Sequence, residues 1–205
     1  LLKLAAKLKE NGYSLTLCLY AVDFGHVFDI PALKDEVELF TMMGYDYYYG
    51  GSKIAGPVSP LTKGHKLAPH YNLENSVKSY LKNGLPPGKF VVALPYYGSE
   101  WKTTGKAIPS ATAGHVRSPA YRQIVKDPAT KKDKWHPDLD AKVRQGTHKG
   151  HHTQLWYDDA QSLSKKYKWL KKQGIAGVGI WALGYDNGHN ELWDLLQKEF
   201  GEAHQ

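Results

Sequence analysis

Tyr45 and Asp46 set a hydroxyl donor beside a carboxylate acceptor, at the carboxyl end of a mostly apolar run over residues 39–45 and shortly ahead of Gly50-Gly51. The run reads as a strand buried on both faces, as in a parallel sheet, and the double glycine lets the backbone leave it sharply. The pair therefore stands at the carboxyl end of that strand. Ligands bind at this edge of parallel sheets because the loops that leave it bring their polar groups together there. A plainer reading makes Asp46 a turn residue and the tyrosines at 47, 48 and 49 loop anchors. Other groups have weaker claims to chemistry. His148, His151 and His152 beside Lys149 could catch a metal, but a glycine-rich basic loop without cysteine or acidic partner reads as a solvated turn, so no metal and no cofactor is expected. Asp158 and Asp159 read as helix caps, and Trp156 and Trp193, each within an apolar pattern, as core.

The elements that must position these groups follow from periodicity. Leu1, Leu4, Ala5 and Leu8 recur at helical spacing before the stop Asn11-Gly12, and residues 13–20 form a strand alternating Leu15, Leu17 and Leu19 with Thr16 and Cys18. A short helix begins near Asp29 and Pro31. After the central strand, Asn72 caps a helix over 73–83 that buries Leu73, Val77 and Leu81 and ends at Gly84, and Pro86-Pro87-Gly88 turns the chain into a third strand over 90–94. Residues 99–152 are rich in Gly, Pro, Lys and His, too long for an ordinary connection, and read as an inserted subdomain with residues 153–157 as one of its strands. Asp158 or Asp159 then caps a helix over 160–173. A fourth buried strand over 175–181, thinned by Gly177 and Gly179, precedes a last helix over 191–200. The expected class is thus α/β, with strands and helices over 1–98, an insertion over 99–157, and a completing strand and helices over 158–205.

Composition bounds the partners. The chain has 205 residues, 41% of them hydrophobic, and no apolar run approaches the ~20 residues of a membrane-spanning helix, so a soluble domain without membrane contact is expected. A net charge of +7 is spread over surface-like positions without an arginine-rich helix or an RNA-recognition pattern, which argues against nucleic acid as partner. One cysteine, Cys18, excludes an intrachain disulfide. No signal-peptide pattern opens the chain, which begins on Leu1-Leu2 already in a helical pattern and so reads as a piece of something longer.

The strand ends also carry a resemblance. Met43-Gly44-Tyr45-Asp46, Pro95-Tyr96-Tyr97-Gly98 followed by Trp101, Leu155-Trp156-Tyr157-Asp158-Asp159, and Gly177-Val178-Gly179-Ile180-Trp181 with Tyr185-Asp186 resemble, in order and spacing, the second half of a family 18 glycoside hydrolase, the family of the chitinases. The resemblance covers nearly the whole chain. It implies a (β/α)8 TIM barrel represented by about four strands, the fifth to seventh within 1–98 and the last within 158–205, with a small α+β insertion between them. It implies hydrolysis of β-1,4-linked N-acetylglucosamine glycans, with a glutamic acid protonating the leaving oxygen and the substrate's own acetamido group as nucleophile. Carried over by position, Tyr45 donates its hydroxyl to the acetamido oxygen and Asp46 hydrogen-bonds the distorted sugar or tunes the acid. Trp181 floors the subsite of the reacting sugar, and Met43, Tyr97 and Trp101 line the groove.

The implied acid has no counterpart. No run of spaced aspartates ends in Glu: Asp35, Glu36 and Glu38 precede a strand, Asp138-Leu139-Asp140 lies in the insertion, and Glu100 follows the wrong strand and reads as groove-lining or solvated. The resemblance therefore implies a truncated barrel, with the acid upstream of Leu1 and the amino-terminal half as a partner. An N-acetylglucosamine-containing oligo- or polysaccharide is the other, and the resemblance favours a secreted or cell-envelope location. A non-catalytic glycan-binding relative, keeping the aromatic floor without the acid, is the second reading.

Overall fold

In the computed structural model, which describes residues 1–62 and 71–201, the first apolar stripe forms helix α1 (Leu2–Glu10), closed by Asn11 and by Gly12 at φ +75°. Ala5 is its buried residue, whereas Leu1, Leu2 and Leu4 stay exposed. Strand β1 (Thr16–Leu19) occupies only the end of the expected 13–20. Helix α2 (Ile30–Leu33) is capped by Asp29, whose carboxylate accepts from the Ala32 amide, and β2 (Leu39–Met43) follows. Asn72 caps α3 (Leu73–Lys82) in the same way, through the Asn75 amide, and β3 (Phe90–Pro95) comes next.

The chain between β3 and the next long helix builds a second sheet. Its strands are β4 (Gly98–Thr103), β5 (Thr112–Arg117), β6 (Lys134–His136), β7 (Ala141–His148) and β8 (His151–Tyr157), with the short helix α4 (Tyr121–Lys126) after β5. They pair antiparallel in the order β5-β4-β8-β7-β6. Lys149 and Gly150, both at positive φ, turn β7 into β8, as a two-residue hairpin loop of this hand requires, so His148 and His151 face each other across the hairpin. Arg144 on β7 ties the region together: it donates to Asp133 and Asp127 and to the Thr130 hydroxyl, while the Tyr157 hydroxyl also donates to Asp133.

Helix α5 (Ala160–Lys172), β9 (Gly177–Trp181) and α6 (Glu191–Phe200) return the chain to the first sheet, whose order is β1-β2-β3-β9, all parallel. Phe40, Met42, Phe90, Val92 and Leu94 point to its helix-covered side and are buried together with Leu73, Val77, Leu163, Tyr167, Leu170 and Leu192. The other face carries Thr16, Cys18, Thr41, Met43, Val91, Gly177 and Gly179, which are half-buried or exposed. Hence β2 and β9 are not buried on both faces as their apolar runs suggested, because the helices cover only one side; β2 also ends at Met43, two residues before Tyr45.

Two further expectations are corrected. Asp159 caps α5 by accepting from the Ser162 amide, but Asp158 does not: it is buried, and its carboxylate pairs with the ammonium of Lys166, itself buried. Burial pushes the Asp158 carboxyl up and the Lys166 ammonium down from their ordinary values, and each partner pulls the other back. Trp156 is core, as its pattern indicated, whereas Trp193 is 42% exposed on the outer side of α6. No helix among the described residues is long and apolar enough to cross a membrane.

Candidate active site

Gly44 is where the end of β2 is fixed. Its amide donates to Ala93 of β3, its carbonyl accepts from the Ser59 hydroxyl, and a Cβ there would come within 2.8 Å of the Ala93 carbonyl oxygen and 2.7 Å of Leu73. Only glycine permits that approach. Two residues on, Asp46 adopts φ +58°, a left-handed conformation that Asp tolerates better than most residues. The chain thereby turns out of the strand with Tyr45 and Asp46 at the sheet's rim.

Two other strand ends meet them. The Tyr97 hydroxyl, just past β3, donates to Oδ1 of Asp46 at 2.6 Å. The Tyr45 ring lies 6.1 Å from Tyr97 and 6.2 Å from Trp181, centroid to centroid, and Tyr185 packs edge-on to Tyr97 at 6.4 Å. Trp181 ends β9 opposite Pro95, and its carbonyl accepts from the Tyr96 amide, so the backbone beneath the indole is pinned. The indole itself is 52% exposed. A tryptophan anchored from below and open above offers a flat apolar surface to a ligand.

Electrostatics keep the phenols neutral. Burial first, then the Asp46 charge and Cys18, push the Tyr45 hydroxyl above its ordinary value, and burial together with the bond to Asp46 pushes Tyr97 further up. Tyr45 is therefore a hydrogen-bond donor at neutral pH. Asp46 is an acceptor held in one orientation by Tyr97. The group presents a donor, an oriented acceptor and an apolar platform, which together suit a ring with C–H faces and polar substituents. Among the described residues no three His, Cys, Asp or Glu side chains converge as metal ligands would.

Of the residues singled out from the sequence, Tyr45, Asp46, Tyr97 and Trp181 come together at one rim. Met43 lies on the β1 side of Tyr45, in the wall of a cleft of about 560 Å³. Trp101 does not join them. It is wholly buried where β4 passes under the loop after Asp46, donating its Nε1–H to the Tyr49 carbonyl and meeting His115 edge to face, so it supports the wall of the site and cannot line a groove. Thr112 and Ser110 hold the same loop through bonds with Ser52, Lys53 and Ala55. Glu100 is engaged by Arg117 at 2.7 Å. Tyr185 stood in a matched motif without a role, and only its ring contact with Tyr97 gives it one. Phe24 and Tyr71, on the far wall of the cleft, sit in loops with no periodicity to mark them.

The model for Glycosyl hydrolases family 18 matches residues 1–186. A probable endochitinase of Caenorhabditis elegans is 27% identical over 214 residues, covering 88% of this chain and 32% of that protein. A class V chitinase of Arabidopsis thaliana is 26% identical over 193 residues, covering 82% and 47%. The chain thus spans less than half the length of these curated relatives. Among solved structures, a family 18 N-acetylglucosaminidase from Paenibacillus barengoltzii superposes with a TM-score of 0.82 at 20% identity, over 95% of this chain and 60% of that one. A chitinase-like agglutinin from Robinia pseudoacacia gives 0.77 at 19%, over 96% and 59%. At such identities the structures speak for the fold, that of a (β/α)8-barrel family.

Proposed function

The chain belongs to glycosyl hydrolases family 18, and from that premise we propose that it is the substrate-holding part of an enzyme that cleaves β-1,4-linked N-acetylglucosamine glycans with retention of configuration. The observation that carries this reading is the gathering of Tyr45, Asp46, Tyr97 and Trp181 at the carboxyl ends of β2, β3 and β9. The reacting sugar rests its C–H face on the Trp181 indole. Its acetamido oxygen attacks the anomeric carbon as the glycosidic bond breaks, the Tyr45 hydroxyl donates to that acetamido group, and Asp46, oriented by Tyr97, accepts from its N–H. Water then opens the resulting ring from the face that the leaving oxygen vacated, so the configuration is retained.

The leaving oxygen needs a proton, and we assign its donor to a glutamic acid on a segment preceding Leu1, with these four strands as the later part of the barrel. Two facts support this: the chain covers 60% of the superposed N-acetylglucosaminidase, and Glu100, the glutamate just after β3, is already paired with Arg117. In the same reading residues 99–157 are an insertion that walls the site through Trp101 and Thr112. The second reading, a glycan-binding relative that does not hydrolyse, has in its favour that every group gathered at the rim serves binding.

The test is to express residues 1–205 alone, and joined to the coding sequence upstream of Leu1, and to follow N-acetylglucosamine tetramer by NMR. Products of retained configuration from the joined protein only, with binding but no cleavage by residues 1–205, are expected. Robust turnover by residues 1–205, lost in Glu100→Gln, would overturn the assignment of the acid; binding without turnover in both proteins would establish the second reading.

A further inference from the structure

Positive charge is concentrated in the second sheet and its connections. Residues 99–157 carry eleven Lys and Arg against five Asp and Glu, a net charge of +6 out of the +7 of the whole chain. Over residues 126–134 the fold turns the two signs apart. The Asp133 carboxylate, 2% exposed, accepts from Nε of Arg144 at 2.7 Å, and Asp127 accepts from its Nη1 at 2.8 Å. The Thr130 hydroxyl shares its proton between the Ile124 and Asp127 carbonyls at 2.7 and 2.6 Å, and Arg144 adds a bond to the Ile124 carbonyl. Lys126, Lys131, Lys132 and Lys134, from the same stretch, are exposed, and none of them pairs with an acid among the described residues. The acids thus bind inward, and a pinned loop holds four ammonium groups outward. This loop lies away from the rim. Gln145 is opposite Gln154 and Gln154 opposite Trp101, so these three side chains share the face that walls the site under Tyr49; Arg144, next to Gln145, points to the other face.

We infer that Lys126, Lys131, Lys132 and Lys134 form an anchoring surface for an anionic polysaccharide, a polymer whose sugar rings carry carboxylates. Ammonium groups set a few residues apart each meet one charge of such a chain and release its counterions. Because the loop is fixed beforehand through Arg144, little freedom is lost on binding. The composition of the surface decides among polyanions. Lysine is a point charge without the planar fork that reads base edges, and residues 126–134 contain no aromatic ring on which a base could stack. Nor do they contain a large apolar side chain to enter a lipid surface. The choice of a polysaccharide over an acidic peptide rests on the glycan reading of the rim, since a surface facing away from that rim and carrying only charge can hold a second, charged glycan beside the neutral one being cut.

The experiment measures binding of residues 1–205 to polygalacturonate, a carboxylate-bearing polysaccharide, by fluorescence anisotropy of the labelled polymer over a series of salt concentrations. Affinity should fall as salt rises, and the variant combining Lys126→Gln, Lys131→Gln, Lys132→Gln and Lys134→Gln should bind about 10-fold or more weakly. A control that loses the same charge through Lys3→Gln, Lys9→Gln, Lys172→Gln and Lys198→Gln, all at exposed positions, should stay within about two-fold. Both variants change exposed side chains only, and N-acetylglucosamine tetramer should move the Trp181 indole in their NMR spectra as it does in the unaltered chain. Equal losses in the two variants, or no binding at all, would overturn the surface and leave general attraction by net charge. Tighter binding to duplex DNA or to phosphatidylserine vesicles, lost in the first variant alone, would overturn the polysaccharide as its partner. A tetramer that left the Trp181 indole unmoved while polygalacturonate bound through the four lysines would overturn the glycan reading of the rim and leave the anchor standing.

Discussion

The hydroxyl of Tyr97 donates to Oδ1 of Asp46 across 2.6 Å, joining the end of β3 to the end of β2. The bond fixes which carboxylate oxygen remains for a ligand, and it packs the Tyr97 ring between Tyr45 and Tyr185. A positioned acceptor of this kind acts without reorganising when charge develops beside it.

Removing that bond should therefore be felt in rate more than in fold. In the complete enzyme as proposed, Tyr97→Phe is expected to lower kcat by about 10-fold, ~1.4 kcal/mol, and a double-mutant cycle with Asp46→Asn should return most of that loss as coupling. Strict additivity of the two losses would mean that Tyr97 does not act through Asp46.

Tyr45→Phe tests the donor itself. In the proposed reaction the hydroxyl matters most when charge builds on the acetamido group, so turnover in the complete enzyme should drop about 10-fold to 1000-fold, or ~1.5–4 kcal/mol, with KM little changed. A rise in KM at constant kcat would make Tyr45 a ground-state contact only.

Arg144 offers a test of the second sheet. Its guanidinium is nearly buried against Asp133, Asp127 and Thr130, and Asp133 is itself buried. Arg144→Met should cost roughly 3–5 kcal/mol, because it strands the Asp133 carboxylate without its cation. Urea unfolding followed by tryptophan fluorescence reads this directly; a loss below about 1 kcal/mol would show that the network is not a source of stability.

Alkali should unfold the protein. Burial pushes Tyr96 up to about 12, and burial also raises Tyr47, Tyr80, Tyr121, Tyr157 and Tyr167. A tyrosine that binds its proton more tightly folded than unfolded contributes its full stability below the unfolded value of 10.0 and loses it as pH rises toward and through the raised one. Stability should thus fall steeply from about pH 10 to 12, and phenolate absorbance from these tyrosines should appear with unfolding. Their ionisation well below the unfolding transition would contradict the burial argument.

What the residues settle without tertiary information is local. The helices from Leu73 and from Glu191 begin and end within a residue of where caps, glycines and apolar spacing put them, since those signals act within a turn or two. The rim order of Tyr45, Tyr97 and Trp181 was also legible, because strand–helix alternation sends like loops to one side of a parallel sheet. Trp101 and Asp158 were not. Trp101 follows a matched motif and Asp158 lies within one, but whether a side chain faces a groove or an interior depends on how the antiparallel sheet folds back, and that put Trp101 beneath Tyr49 and Asp158 against Lys166. Burial of the strands on one face only and the cleft between Phe24 and Tyr45 have the same origin. They are distances between residues far apart in the chain, decided by packing, and no window of sequence contains both partners.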